Sequence, residues 1–177
     1  MPQRVGQRPE HVLTAERHNL PAPHTRLIGR EHDSNTVREL VLQAPGRLVT
    51  LIGTGGCGKT QLALLVASGL VESFADGVWL VELAPVQTPH LVPYAIAAVL
   101  GHRERAGEPL TDTVVAYLKT RELLLVLDNC EHVIDACAEL AERLLAGCPR
   151  VRLLATSRER LRICGETTWR VLSLHGV

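Results

Sequence analysis

Gly53-Thr54-Gly55-Gly56-Cys57-Gly58-Lys59-Thr60, preceded at once by the apolar run Leu48-Val49-Thr50-Leu51-Ile52, decides how the rest of this chain is read. The octapeptide has the form G-x-x-x-x-G-K-S/T, in which a strand ends, a glycine-rich loop turns and a helix begins. Gly53, Gly55, Gly56 and Gly58 admit backbone conformations closed to residues with a Cβ, so successive N–H groups can turn inward onto phosphate oxygens. In that arrangement Lys59 reaches the β- and γ-phosphates and Thr60 offers a hydroxyl to Mg²⁺. Of the 19 basic residues only Lys59 and Lys119 are lysines, so a lysine at this point of an arginine-rich chain adds weight to the reading.

Outward from the loop, buried strands alternate with helices. Lys59 to Val71 reads as the helix that the loop opens, Val78 to Leu83 as a second strand, and Pro89–Leu100 and Thr111–Thr120 as helices. Leu123 to Leu127 is an unbroken apolar run, the pattern of a central parallel strand covered on both faces. Val133, Cys137, Leu140 and Leu144 fall at helical spacing, and Gly147 and Pro149 end that helix. Val151 to Thr156 and Thr168 to Leu172 complete the strands, and a helix at Ser34 to Gln43 precedes the first. This alternation predicts an α/β, three-layer αβα sandwich with a mainly parallel sheet. Residues 1–24, rich in proline and arginine and without periodicity, read as a flexible tail or linker, and the folded domain is expected over residues 25–177.

Composition excludes several classes. At 177 residues the chain holds one such domain, and 46% hydrophobic against 21% charged residues is globular rather than disordered. Aromatics are 3%, so the core must be aliphatic. Nineteen acidic residues balance the 19 basic ones, which argues against direct nucleic-acid binding by this segment. The five cysteines lack a C-x-x-C pair, which indicates neither a zinc site nor a disulfide framework. No membrane span or signal peptide is visible, so a cytoplasmic location is expected.

In parallel sheets ligands sit beyond the carboxyl ends of the strands, so the residues just after buried strands carry the chemistry. Asp128 follows Leu127 and is expected to hold Mg²⁺ together with Thr60. Its neighbour is Asn129, an amide of negligible basicity, where a carboxylate often activates the attacking water. Glu131 is the nearest carboxylate able to take that part, so hydrolysis is expected to be slow, below ~1 s⁻¹. Arg158, after the strand ending at Thr156, is the candidate γ-phosphate sensor, with Arg160 and Arg162 as alternatives.

Leu-Ile-Gly-Arg-Glu at residues 27–31, the loop at Gly53, Leu-Leu-Leu-Val-Leu-Asp-Asn-Cys-Glu-His from Leu123 and Leu-Leu-Ala-Thr-Ser-Arg-Glu from Leu153 together resemble the NB-ARC-like signal-transduction ATPases with numerous domains, a class of P-loop NTPases. The resemblance is to the nucleotide-binding segment of large bacterial LuxR-type transcriptional regulators, where a phrase like Asn19-Leu20-Pro21-Ala22-Pro23 precedes the domain. It implies core strand order 5-1-4-3-2 and contact of Ile28, Gly29 and Arg30 with adenine. It places the nucleotide on Gly53, Thr54, Gly55, Gly56, Cys57, Gly58, Lys59, Thr60 and Gln61, and Lys59, Asp128, Glu131 and Arg158 around the reacting phosphate. The cofactors implied are ATP/ADP and Mg²⁺, and the partners regulatory or output domains and further copies of the protein. The chain ends before the helical and winged-helix subdomains of the family. Two other readings stand beside the slow regulatory ATPase: a non-hydrolysing nucleotide-binding module, favoured by Asn129, and a small-molecule kinase using Arg158, Arg160 and Arg162 as a clamp.

Overall fold

The computed structural model describes residues 16–22 and 28–173. Its principal elements are α1 (Glu31–Gln43), β1 (Leu48–Ile52), α2 (Lys59–Ser68), β2 (Val78–Glu82), α3 (Val92–Val99), α4 (Leu110–Leu118), β3 (Leu124–Asp128), α5 (Ile134–Gly147), β4 (Arg152–Ser157) and β5 (Glu166–Arg170). All four strand pairings are parallel, in the order β2-β3-β4-β1-β5. Read from the other edge this is 5-1-4-3-2, as the resemblance implied, with β4 between β1 and β3.

The uninterrupted apolar runs follow from a sheet buried on both faces. Leu125 and Leu127 of β3 join Leu153 and Ala155 of β4 in a core roofed by α3, α4 and α5. Leu124, Val126 and Leu154 point the other way, with Val49 and Leu51, into a core roofed by α1 and α2. Apart from Phe74 and four cysteines, the fully enclosed apolar side chains of both layers are aliphatic, in keeping with the scarcity of aromatics. Truncating a side chain such as Leu125, fully buried, should cost about 2–5 kcal/mol.

Two arginines brace the edge of the sheet where β1 and β4 begin. Arg47 donates to the carbonyls of Leu145 and Cys148, at the end of α5, and to that of Val151, just before β4. Arg152 donates to those of Val41 and Ala44, at the end of α1. Each guanidinium thus satisfies helix-terminal carbonyls that lack partners within their own helix.

Several boundaries move. α1 begins at Glu31 rather than Ser34, because Ser34 N–H already donates to the Arg30 carbonyl. α2 stops at Ser68 against Gly69 instead of running to Val71, which falls in a 3₁₀ turn. The helix expected from Pro89 opens with a 3₁₀ turn and becomes α-helical at Val92, and β5 begins two residues earlier than expected. Leu27 and the expected domain start at Thr25 lie outside the described residues. Part of the stretch read as a free tail, residues 16–22, is seated against β2: Val78 N–H donates to the Arg17 carbonyl at 2.8 Å, and His18 bridges Val78 in the parallel sense.

Candidate nucleotide-binding site

The loop from Gly53, the start of α2, and the segments that follow β3 and β4 meet at the carboxyl edge of the sheet. There they form a cleft of about 400 Å³ lined by Gly55, Gly56, Gly58, Lys59, Thr60, Gln61, Asn129, Glu131 and Arg158. A cleft of about 450 Å³ between His102 and Tyr117 contains no residue of these loops.

The glycines of the loop serve different ends. Only Gly56 and Gly58, with φ of +76° and +92°, need a left-handed backbone. Gly53 does not, contrary to the sequence expectation; it is glycine because a Cβ would stand 2.7 Å from Cys57 Sγ and 2.8 Å from the Val171 carbonyl oxygen. Gly55 likewise has no positive φ, and its Cβ position lies 3.4 Å from the Arg158 guanidinium, which therefore crosses over the loop.

Lys59, 6% exposed, folds its ammonium back on the loop, donating to the carbonyls of Gly53 at 2.9 Å and Thr54 at 2.8 Å, with Cys57 Sγ at 4.0 Å. Thr54 and Cys57 thus contribute to the loop's internal frame, while Gln61 is exposed at the cleft wall. Thr60 Oγ1 donates to Asp128 Oδ1 at 2.8 Å, joining the two expected metal ligands. Thr156 Oγ1 donates to the same carboxylate oxygen at 2.6 Å and accepts the Asn129 N–H at 2.9 Å. In the sequence Thr156 reads as part of a strand; its one signal is a polar residue closing an apolar run beside the loop strand. No group of three or more His, Cys, Asp or Glu able to hold a metal occurs among the described residues. The oxygen pair of Thr60 and Asp128 instead fits a Mg²⁺ that takes its remaining ligands from phosphate and water.

Asn129 has a φ of +62°, the left-handed region that asparagine tolerates better than most residues. This turn lets Cys130 N–H reach the Thr156 carbonyl at 2.9 Å, so the chain leaving β3 hooks onto β4. The amide is therefore accounted for by backbone geometry as well as by chemistry. Cys130 is fully buried, and its thiol is held protonated, well above the usual range, by a hydrogen bond with Cys137 and by burial. Glu131 Oε1 lies 3.9 Å from Arg158 Nε, while its Oε2 is buried without a hydrogen-bond partner. The Arg158 side chain is 68% exposed. Arg160 and Arg162 approach Glu166 and Glu159 instead and do not line the cleft.

On the flank assigned to adenine, Ile28 is 83% exposed and Gly29 has open space around its Cβ position. The Arg30 guanidinium is turned into the protein. It is buried under the loop, paired with Asp33 at 2.8 Å and donating to the carbonyls of Cys57 at 2.9 Å and Leu172 at 2.5 Å. None of these three residues lines the cleft.

Comparison with known proteins gives the family and the fold of the chain. The chain is 45% identical over 133 residues to a putative HTH-type transcriptional regulator of Mycobacterium tuberculosis, covering 75% of this chain and 15% of that protein. The chain thus spans about one seventh of the length of that relative. Among solved structures it is similar to the ORC2 protein of Aeropyrum pernix, described as ADPNP–ADP complexes, with a TM-score of 0.59 and 18% identity over 86% of this chain and 50% of that one. It is also similar to a signal-transduction ATPase with numerous domains from Pyrococcus horikoshii, which carries a tetratricopeptide repeat sensor, with a TM-score of 0.56 and 15% identity over 81% of this chain and 23% of that one. Both share the fold. A family model, that of the NB-ARC domain, matches residues 30–173, and the chain belongs to the NB-ARC domain family.

Proposed function

We propose that this domain is an ATP/ADP-operated switch of a transcriptional or signalling regulator, with slow Mg²⁺-dependent ATP hydrolysis. The observation that carries the reading is the linked set Thr60, Asp128 and Thr156, aimed from three elements at one side of the phosphate loop. In this reading the loop N–H groups and Lys59 take the phosphates, and Thr60 with Asp128 holds Mg²⁺ against them. Bound Mg²⁺ offsets phosphate charge and fixes the geometry of the triphosphate. The position of Arg158 over Gly55, with Glu131 beside it, supports a reading in which Arg158 contacts the γ-phosphate and Glu131 orients water. The left-handed Asn129 supplies no base, which supports turnover below ~1 s⁻¹. Output domains and self-association belong to the larger protein that the relatives' lengths suggest.

The test is release of labelled phosphate from ATP by the wild type and by Glu131→Gln. Slow release that the substitution reduces further supports the switch; no release by either supports a non-hydrolysing nucleotide-binding module, the reading that Asn129 favours. Lys59→Ala should abolish nucleotide binding in both cases, and unchanged ATP affinity would overturn both. A kinase clamp is less well supported, because Arg160 and Arg162 are turned to Glu166 and Glu159.

A further inference from the structure

The outer edge of β2 carries a contact that the nucleotide site does not use. Residues 17–20 run beside it in the parallel sense, and after the Arg17 carbonyl has accepted Val78 N–H the Asn19 side chain takes over. Asn19 Oδ1 accepts Leu80 N–H at 2.6 Å, and Nδ2 donates to the Leu80 carbonyl at 2.8 Å. A carboxamide has the donor and acceptor of a peptide unit, so one side chain completes the ladder as a strand residue would. Leu20 packs against the core beneath α1 and α2, and Arg17 pairs with Glu72 at 3.0 Å. Gly77 is suited to this approach: its φ is +85°, and a Cβ there would lie 1.9 Å from the Arg17 carbonyl oxygen. Beyond Leu20, Pro21 has no N–H with which to extend the ladder.

We infer that residues 17–20 are a removable strap guarding the β2 edge, with Asn19 as its main fastening, and that what they keep off is a second copy of this chain. β2 reads Val78-Trp79-Leu80-Val81-Glu82, a run of strong strand formers with no charge before its last residue. An edge of that kind pairs readily when uncovered. Two copies meeting edge to edge about a twofold axis run antiparallel, and each would satisfy in the other the groups of Val78 and Leu80 that Arg17 and Asn19 satisfy here. Among the described residues the fastening is three hydrogen bonds, one exposed ion pair and one apolar side chain, so it can lift while the sheet stays folded. The segment that enters the domain would thereby set whether copies associate.

Hydrogen exchange on Asn19→Ala, together with sedimentation velocity on a form lacking residues 1–20, tests this. The Leu80 amide should exchange about tenfold faster in Asn19→Ala, with the amides of β4 unchanged. The shortened form should self-associate, and a free peptide of residues 16–22 should return it to monomer. Unchanged Leu80 exchange in Asn19→Ala overturns the inference, as does a shortened form that stays monomeric. So does a wild-type chain that already pairs through this edge. If the shortened form fails to fold, sedimentation of Asn19→Ala decides: it should self-associate where the wild type does not, and a wholly monomeric Asn19→Ala protein overturns the inference.

Discussion

Replacing Thr156 with valine keeps the shape of a fully buried side chain and deletes one hydroxyl, which makes it a clean probe of the site. That hydroxyl donates at 2.6 Å to Asp128 and accepts at 2.9 Å from the Asn129 N–H. A hydrogen bond to a charged group contributes about 1.5–3 kcal/mol, and stranding a partly buried N–H costs at least ~1 kcal/mol, so the change should cost about 3 kcal/mol. Against a typical domain stability of about 5–15 kcal/mol this is a large shift, visible as a lower urea midpoint. Among the described residues Asp128 would keep Thr60 alone as a side-chain donor, so the Mg²⁺-dependent part of ATP affinity should fall about tenfold while binding without Mg²⁺ changes little. Thr156→Ser restores the hydroxyl and loses one methyl, about 1 kcal/mol, and should recover the Mg²⁺ dependence. A valine variant within about 0.5 kcal/mol of wild type and with normal Mg²⁺ dependence would refute the reasoning. A serine variant as impaired as the valine one would do so equally.

Other expectations follow from the same geometry. Arg158→Ala, at an exposed side chain, should change stability by less than about 0.5 kcal/mol yet narrow the preference for ATP over ADP in a binding titration. Gly53→Ala should lower thermal stability and nucleotide affinity together, because its Cβ meets Cys57 Sγ and the Val171 carbonyl. A thiol titration of the native protein should find Cys164 alone reacting fast among the five cysteines, since Cys57, Cys130, Cys137 and Cys148 are buried. The pKa of His102 is lowered by burial and by the charges of Arg105 and Arg121. The unfolded chain therefore takes up this proton first, and stability should decline as pH falls below about 6.5 towards the lowered folded value. His102→Gln should flatten that part of a melting-temperature profile.

The fold was legible because its central strands are buried on both faces, which leaves unbroken runs such as Leu123 to Leu127 that little else produces. The carboxyl-edge rule then pointed to Asp128 and Arg158 without any knowledge of packing. Thr156 was not legible, since a threonine in a strand ordinarily signals β-propensity, and its hydroxyl acquires a role only when β3 and β4 lie side by side. The bonds of the Arg30 guanidinium were not legible for a related reason: a long side chain reaches many partners, and the carbonyls of Cys57 and Leu172 come together only in the folded chain. The hold of Asn19 on Leu80 is likewise a single side-chain contact across 61 residues, with no periodicity to betray it.

The arginine braces at the far edge of the sheet bear on how such a domain can move. α1 and α5 both start at the cleft side, next to Arg30 and just after Glu131, and both end where Arg152 and Arg47 hold their last carbonyls. Each therefore runs about 20 Å from the cleft to its brace, from 13 and 14 residues at ~1.5 Å rise. A displacement of about 1 Å at the cleft then appears as a tilt of about 3° around the braced end, with little translation there. Cutting a brace, as in Arg47→Met, would release the pivot and turn a tilt into a slide.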